Sequence, residues 1–323
     1  MNHLKFFSDI TKNSVAEAGG KGASLGEMSR AGIPVPPGFV VLSNAFDRFL
    51  EETDLNVEIA ARLKDVHPED MNSVEKASAV IRDTIHDHEM PEDLCKEILS
   101  SFDALGAHYV AVRSSATAED SSVASWAGEL ETYLNTTRDD VVERVKQCWS
   151  SLFTPRAIFY RHEKKLIDHY VSVAVVVQTM IQSEISGIAF TVHPVTEDYD
   201  QMIIEAGYGL GEAIVSGSIT PDSYVILKSG MNILDVNVGN QTRKLVKSKI
   251  KNQKSKVDVN IWVELGAEGE KQKLSGKQIM ELAELCKKIE THYGFPCDIE
   301  WAFAEGKFFI TQSRPITTLK KIM

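Results

Sequence analysis

Residues 298–315 alternate apolar and polar side chains about a Glu305-Gly306 step, and that pattern constrains the chain more tightly than any other stretch. It predicts two antiparallel strands, because glycine supplies the positive φ that a tight hairpin turn needs. Before the turn, Ile299, Trp301 and Phe303 share one face, and Asp298, Glu300 and Ala302 share the other. After it, Phe308, Ile310, Gln312 and Arg314 are expected on one face. A three-residue loop over 305–307 sets Glu300 opposite Gln312 and Asp298 opposite Arg314, whereas a two-residue loop puts Glu300 and Gln312 on opposite faces. We expect the first register, because it gathers two carboxylates, an amide and a guanidinium on one surface. Such a set suits a hard cation with a phosphate beside it. The same pattern also fits an edge hairpin with a solvated polar face and an ordinary Asp298–Arg314 ion pair.

Charge decides how an anion would have to be held. With 35 Lys+Arg against 46 Asp+Glu, the net charge of −11 disfavours nucleic acid and requires a local cluster of donors for any anionic ligand. The 323 residues suffice for two lobes, expected over 1–195 and 196–323. Cys95, Cys148, Cys286 and Cys297 form no Cys-x-x-Cys pair, so neither zinc nor a redox motif is indicated. Scattered thiols, the absence of an apolar leader and the lack of a membrane-length apolar run lead to the expectation of a cytoplasmic chain.

Three further stretches carry candidate chemistry. Gly19-Gly20-Lys21-Gly22 reads as a tight turn before a short helix over 23–30, with Lys21 placed for a phosphate, although the spacing is not that of a Walker A loop. Residues 109–112 read as a buried strand running into Arg113-Ser114-Ser115, then a small-residue loop through Ser125 and Gly128, with a strand resuming over 129–135. A guanidinium at a strand's carboxyl end beside a loop of backbone N–H groups suits an anion; an ion pair of Arg113 with Glu119 or Asp120 is the plainer alternative. Gly207, Gly209 and Gly211 follow a strand, but their spacing is not the dinucleotide fingerprint, and close backbone packing explains them equally. Residues 44–108 and 139–165 are predicted helical, residues 171–181 form a buried strand holding Gln178, and 275–292 form a helix stopped by Gly294.

Taken together, Gly19-Gly20-Lys21-Gly22, Val112-Arg113-Ser114-Ser115, Gly209-Leu210-Gly211-Glu212 with Pro221-Asp222, and Asp298-Ile299-Glu300 with Gln312-Ser313-Arg314-Pro315 resemble one family. It is the nucleotide-binding domain of phosphoenolpyruvate synthase, pyruvate phosphate dikinase and rifampin phosphotransferase. The resemblance runs from about residue 5 to residue 318. It implies an α+β fold of the ATP-grasp type, two lobes clasping a nucleotide. It also implies that Lys21 and Arg113 contact the phosphates of ATP, that Gly128 and Thr132 lie in the loop over the triphosphate, and that Gln178 lies near the adenine. Glu300 and Gln312 would hold Mg²⁺, with Asp298 beside them and Arg314 near the transferred phosphate. Lys21, Arg113 and Arg314 would then be the catalytic cations. Glu129 and His193 depart from the family's usual residue types, so their roles stay open.

Members of this family continue into a mobile domain bearing a phosphorylated histidine. None of the nine histidines here lies in a comparable setting, so the expectation is an incomplete phosphotransferase whose histidine partner is supplied in trans. Two other readings fit the residues: an ATP-grasp ligase making an acyl phosphate, and a nucleotide-binding protein without catalysis. The first needs an acceptor pocket for which no motif stands out. The second is disfavoured by the joint presence of metal-type and basic residues.

Overall fold

Antiparallel pairing runs through every sheet described in the protein, with one isolated parallel bridge between Gly209 and Leu245. The structure is a computed structural model and describes residues 2–117, 131–164, 171–248 and 260–319. The architecture is mixed α/β. The chain divides into two units, Met1–Glu27 with Pro37–Met180, and Met28–Pro36 with Ile181–Met323. Residues 181–195, grouped with the N-terminal part from sequence, fall in the second unit by this division. No helix among the described residues is long and apolar enough to cross a membrane.

The first unit is built on strands β1 (Leu4–Phe6), β2 (Gly38–Val41), β3 (Val110–Ala116), β4 (Thr132–Thr136) and β5 (Val173–Thr179), in the order β1-β2-β5-β3-β4. Its helices are α1 (Val15–Arg30), α2 (Ser43–Glu52), α3 (Leu55–Lys64), α4 (Met71–Asp87), α5 (Glu92–Leu105), α6 (Val141–Ser150) and α7 (Pro155–Glu163). Strand alternation sorts the sheet into two faces. Phe39, Val41, Val110, Val112, Val173, Val175 and Val177 enter one core with Phe46, Phe49, Ile98 and Trp149 from the helices. The rings of Phe46 and Phe49 lie 5.5 and 5.2 Å from that of Trp149. Burial of such side chains, roughly 1.5–3 kcal/mol each, is what holds the helices on this face. The opposite face carries Val40, Ala111, Arg113, Ser115 and Gln178, and α1 packs there with Gly22 against Val40.

Two sequence expectations change here. The glycines of 19–22 do break the chain ahead of a helix, but the break is a kink at Gly19 alone, at φ 68° and ψ 173°: one helical segment of α1 precedes it from Val15, and a second follows it to Arg30, starting before residue 23. Strand β3 runs through Arg113 to Ala116 instead of ending before it. Arg113 is therefore held rigidly by pairing on both sides, opposite Val176 and Thr132.

The second unit holds β6 (Ile185–Phe190), β7 (Gln201–Tyr208), α8 (Glu212–Val215), β8 (Asp222–Leu227), β9 (Asn232–Asn237), a separate hairpin of β10 (Arg243–Lys247) and β11 (Asn260–Glu264), α9 (Gly276–Tyr293), β12 (Cys297–Ala304) and β13 (Lys307–Pro315). Its six-stranded sheet has the order β13-β12-β6-β7-β8-β9. Helix α9 opens with a capping box of Ser275 and Gln278 and stops at Gly294, φ 77°, as the sequence predicts. Its buried Ile279, Leu282, Cys286 and Ile289 serve the sheet face of Met202, Ile204, Tyr224, Ile226, Ile299 and Trp301, with Cys286 near Cys297. The opposite face, with Ile188, Phe190, Glu205, Val225 and Glu300, is only half-buried. Along the free edge of β13, the N–H of Ile310 donates to the carbonyl of Pro34 at 2.8 Å, so the 28–36 stretch covers part of that edge.

The hairpin reaches the expected register by a different route. Its turn has two residues, not three, with Glu305 and Gly306 at φ 51° and 74° and Ala304 paired with Lys307. A bulge between the Trp301 and Glu300 levels inserts Thr311 as an extra residue in β13, and beyond it Glu300 faces Gln312 and Asp298 faces Arg314. Phe308 and Ile310 accordingly lie on the Trp301 face, not with Gln312, and the Phe308 ring sits 5.6 Å from the Trp301 ring. The glycine loop after β7 is a packed corner: a Cβ on Gly209, φ 94°, would stand 3.1 Å from the Leu245 nitrogen.

Candidate functional site

The polar half of the β12–β13 hairpin brings Asp298, Glu300, Gln312 and Arg314 onto the half-buried face of the second sheet. Asp298 and Arg314 form the ion pair that the sequence left as the plainer alternative: Oδ2 accepts from Nε at 2.9 Å and lies 2.8 Å from Nη2. The aspartate is largely enclosed, with 14% of its side chain exposed, while Arg314 keeps 42% exposed. Burial pushes the Asp298 carboxyl above the ordinary aspartate range; Arg314 opposes that shift, and the nearby Glu300 charge adds to it. Gln312 is buried at 6% exposure.

These groups suit Mg²⁺. Two carboxylates and an amide oxygen are hard donors, and Mg²⁺ is commonly held by one or two carboxylates plus phosphate oxygens and water. No group of three or more His, Cys, Asp or Glu able to hold a metal is gathered among the described residues.

In the first unit, Lys21, Arg113, Thr132 and Gln178 belong to one face of the sheet and the helix laid on it. The break at Gly19 lets the body of α1 start on β3. There the Ser115 hydroxyl accepts the Gly22 N–H at 3.3 Å and donates to the Ala18 carbonyl at 3.0 Å. One buried hydroxyl thus satisfies backbone groups on both sides of the kink. Lys21 falls in the first turn after the break, and Arg113 precedes Ser115 by two residues on the same face. Thr132 pairs directly with Arg113 and is exposed. Gln178 pairs with Gly38 and Ala111, is 3% exposed, and its Nε2 has no hydrogen-bond partner among the described residues. The Thr179 hydroxyl next to it is likewise buried without one. An orphaned donor disfavours the free fold by roughly 1–3 kcal/mol and suits a site that a heterocycle's acceptors complete. Gly128 and Glu129 lie outside the described residues. His193 sits in a turn, where its Nδ1 accepts from the N–H groups of Val195 and Thr196, both at 3.3 Å, a structural role.

Sequence reading gave Ser115 as one of two hydroxyls following Arg113 and missed that it seats α1. Glu205, on the same sheet face as Glu300, had no local signal, because its place depends on pairing across three strands.

The model of the pyruvate phosphate dikinase AMP/ATP-binding domain family matches residues 15–323. A probable phosphoenolpyruvate synthase of Methanocaldococcus jannaschii is 45% identical over 99% of this chain, which spans 27% of that relative. A second, from Archaeoglobus fulgidus, is 47% identical over 98% of this chain and 42% of its own length. The phosphoenolpyruvate synthase of Pyrococcus furiosus is 39% identical over 98% of this chain and 44% of its own length. The chain therefore spans less than half of each of these relatives.

Proposed function

This chain belongs to the pyruvate phosphate dikinase AMP/ATP-binding domain family, and from that premise we propose that it is the ATP-grasp module of a cytoplasmic dikinase-type phosphotransferase. It binds Mg·ATP and passes a phosphoryl group to a histidine on a swivel domain in a separate stretch of polypeptide. The observation that carries this reading is the set of Asp298, Glu300, Gln312 and Arg314 on one open sheet face. The short span of the chain against its relatives supports a partner stretch, and its unpaired thiols suit a reducing compartment.

In this reading one lobe supplies Lys21, Arg113, Gly128, Thr132 and Gln178, and the other Asp298, Glu300, Gln312 and Arg314. Lys21 and Arg113 bind phosphate oxygens, and Gln178 offers its unpartnered amide to the adenine. Glu300 and Gln312 would hold Mg²⁺, which would neutralise charge on the phosphates. Arg314, kept in orientation by Asp298, stabilises the charge of the migrating group. Transfer breaks a bridging P–O bond of the nucleotide and forms a P–N bond to a neutral imidazole nitrogen.

The test is incubation of the purified chain with labelled ATP, with and without a histidine swivel domain. Mg²⁺-dependent ATP binding, slow hydrolysis at most, and acid-labile phosphohistidine only with the partner are expected. Full-rate phosphorylation of pyruvate or a rifamycin by the isolated chain, or no Mg·ATP binding, would overturn the proposal.

A further inference from the structure

Strands β10 and β11 form a two-stranded ribbon separate from both larger sheets. A two-stranded ribbon is marginal in water unless a further strand or a packed face supports it. The β10 side has such support: the Leu210 N–H donates to the Leu245 carbonyl at 2.9 Å, at the parallel bridge between Gly209 and Leu245. The β11 side is open, and its consecutive Ile261, Trp262 and Val263 are 38, 38 and 37% exposed. The bridge also fixes which way the β11 backbone points. Leu245 turns its backbone groups away from β11, so its register partner Trp262 turns its own away from β10. By the two-residue period, Asn260 and Glu264 point outward with it. Trp262 and Glu264 make no backbone hydrogen bond on that outer side among the described residues.

The β9 edge, with exposed Leu234 and Val236, carries the devices that block pairing: a charge at Asp235 and a bulge at Leu234. Strand β11 has neither, since its register is unbroken and its one charge, Glu264, stands at its end. We propose that β11 is the pairing edge of a two-fold dimer, in which it runs antiparallel to β11 of a second copy and joins two ribbons into one four-stranded sheet. A pairing centred on Trp262 sets Trp262 against itself, Ile261 of each copy against Val263 of the other, and Asn260 of each against Glu264 of the other. Every outward-pointing residue then meets an outward-pointing one. The charges are complementary as well. One row across the joined sheet reads Arg243, Glu264, Asn260, Lys247, and the central row reads Leu245, Trp262, Trp262, Leu245. Glu264 thus lies between Arg243 of its own ribbon and the Asn260 amide of the other, and no like charges are adjacent. That amide also donates to Glu212 at 3.1 Å, and its two hydrogens allow both contacts. Moving the centre to Ile261 or Val263 takes Glu264 away from the amide.

Sedimentation of the full chain over a concentration series, without nucleotide, tests this. A species near twice the 35.8 kDa of one chain is expected to grow with concentration. Trp262→Lys sets two ammonium groups against each other at the two-fold axis and should leave the monomer at every concentration. Glu264→Pro removes one outward N–H from each copy, a loss that an edge position tolerates within its own ribbon. It should weaken the dimer roughly tenfold, the worth of two hydrogen bonds. At concentrations where the parent is monomeric, both variants should melt with it, which separates lost association from lost folding. Trp262→Cys treated with a short bismaleimide should give a covalent dimer, and Leu234→Cys on the β9 edge should not. A parent that stays monomeric throughout, a dimer that survives Trp262→Lys, or cross-linking through Leu234→Cys but not Trp262→Cys overturns the proposal. A monomeric parent that loses its histidine-domain partner on Trp262→Lys also overturns it, and assigns the ribbon to that partner instead.

Discussion

Gly19 is the position where one added methyl group should do the most damage near the candidate phosphate contacts. Its φ of 68° and ψ of 173° lie in a region essentially reserved for glycine, so Gly19→Ala strains the backbone by roughly 1–3 kcal/mol. The new Cβ would also sit 2.7 Å from the carbonyl carbon of Ser115 and closer still to its oxygen and hydroxyl. Rigid backbone cannot give way as a side-chain tip can, and the forced shift adds roughly 1–3 kcal/mol. The expected total is about 4 kcal/mol. Ser115→Ala tests the same joint from the other side. It leaves the Gly22 N–H and Ala18 carbonyl unmatched and should destabilise by roughly 1–3 kcal/mol. In that background Gly19→Ala should retain most of its effect, because the clash with the Ser115 backbone persists. Urea unfolding followed by tryptophan fluorescence reports the first unit through Trp149 in its core. Both variants should also weaken Mg·ATP binding, since the first turn of the α1 body carries Lys21. A loss below 1 kcal/mol for Gly19→Ala would refute the strain reasoning. Full destabilisation with unaltered ATP affinity would show that the kink does not position Lys21.

Further outcomes follow from other sites. Glu300→Ala should abolish Mg²⁺-dependent protection of the protein by ATP against heat while leaving the nucleotide-free melting temperature nearly unchanged; undiminished protection would reject the metal assignment. Arg113→Ala or Arg314→Ala should weaken ATP binding or turnover by roughly tenfold, measured by calorimetry or phosphate release. Lys273→Met strands the Asp222 carboxylate, both partners being 0% exposed, and should destabilise the second unit by roughly 3–5 kcal/mol in urea. Glu205 holds its proton to higher pH folded than unfolded, so the unfavourable effect of its ionisation is absent below the unfolded value, grows through the window between the two, and is complete above the folded value. The stability of Glu205→Gln relative to the parent should therefore rise with pH across that window; an unchanging difference would contradict the shift.

How much was legible in the sequence depended on whether the deciding contact was local. The pairing of Glu300 with Gln312 was readable because oxygen-rich residues recur with period two, yet its cause was misread. A two-residue turn and a bulge at Thr311 together give the offset that a three-residue loop alone would have produced, and local alternation cannot separate those routes. The helix α9 was legible from its apolar spacing and its caps. The glycines before Lys21 were not, because glycine is permissive both in helices and in turns, and only packing against Ser115 determines that Gly19 alone departs. The placement of Glu205 in one row with Glu300 lies beyond local reading altogether, since that row is assembled across β12, β6 and β7.

The stretch 28–36, which lies on the β13 edge, has a consequence for how the protein is made. It leaves the ribosome long before the strand it covers. Until that strand follows, the second sheet lacks its outer hairpin and the edge that the stretch covers. A contact so distant in sequence is slow to form and leaves the nascent chain open to misassociation. A fragment starting at residue 181 would never acquire the strap, because no single cut of the chain yields both units whole. Its β13 edge would stay open at Ile310, a template on which a second nascent chain can pair.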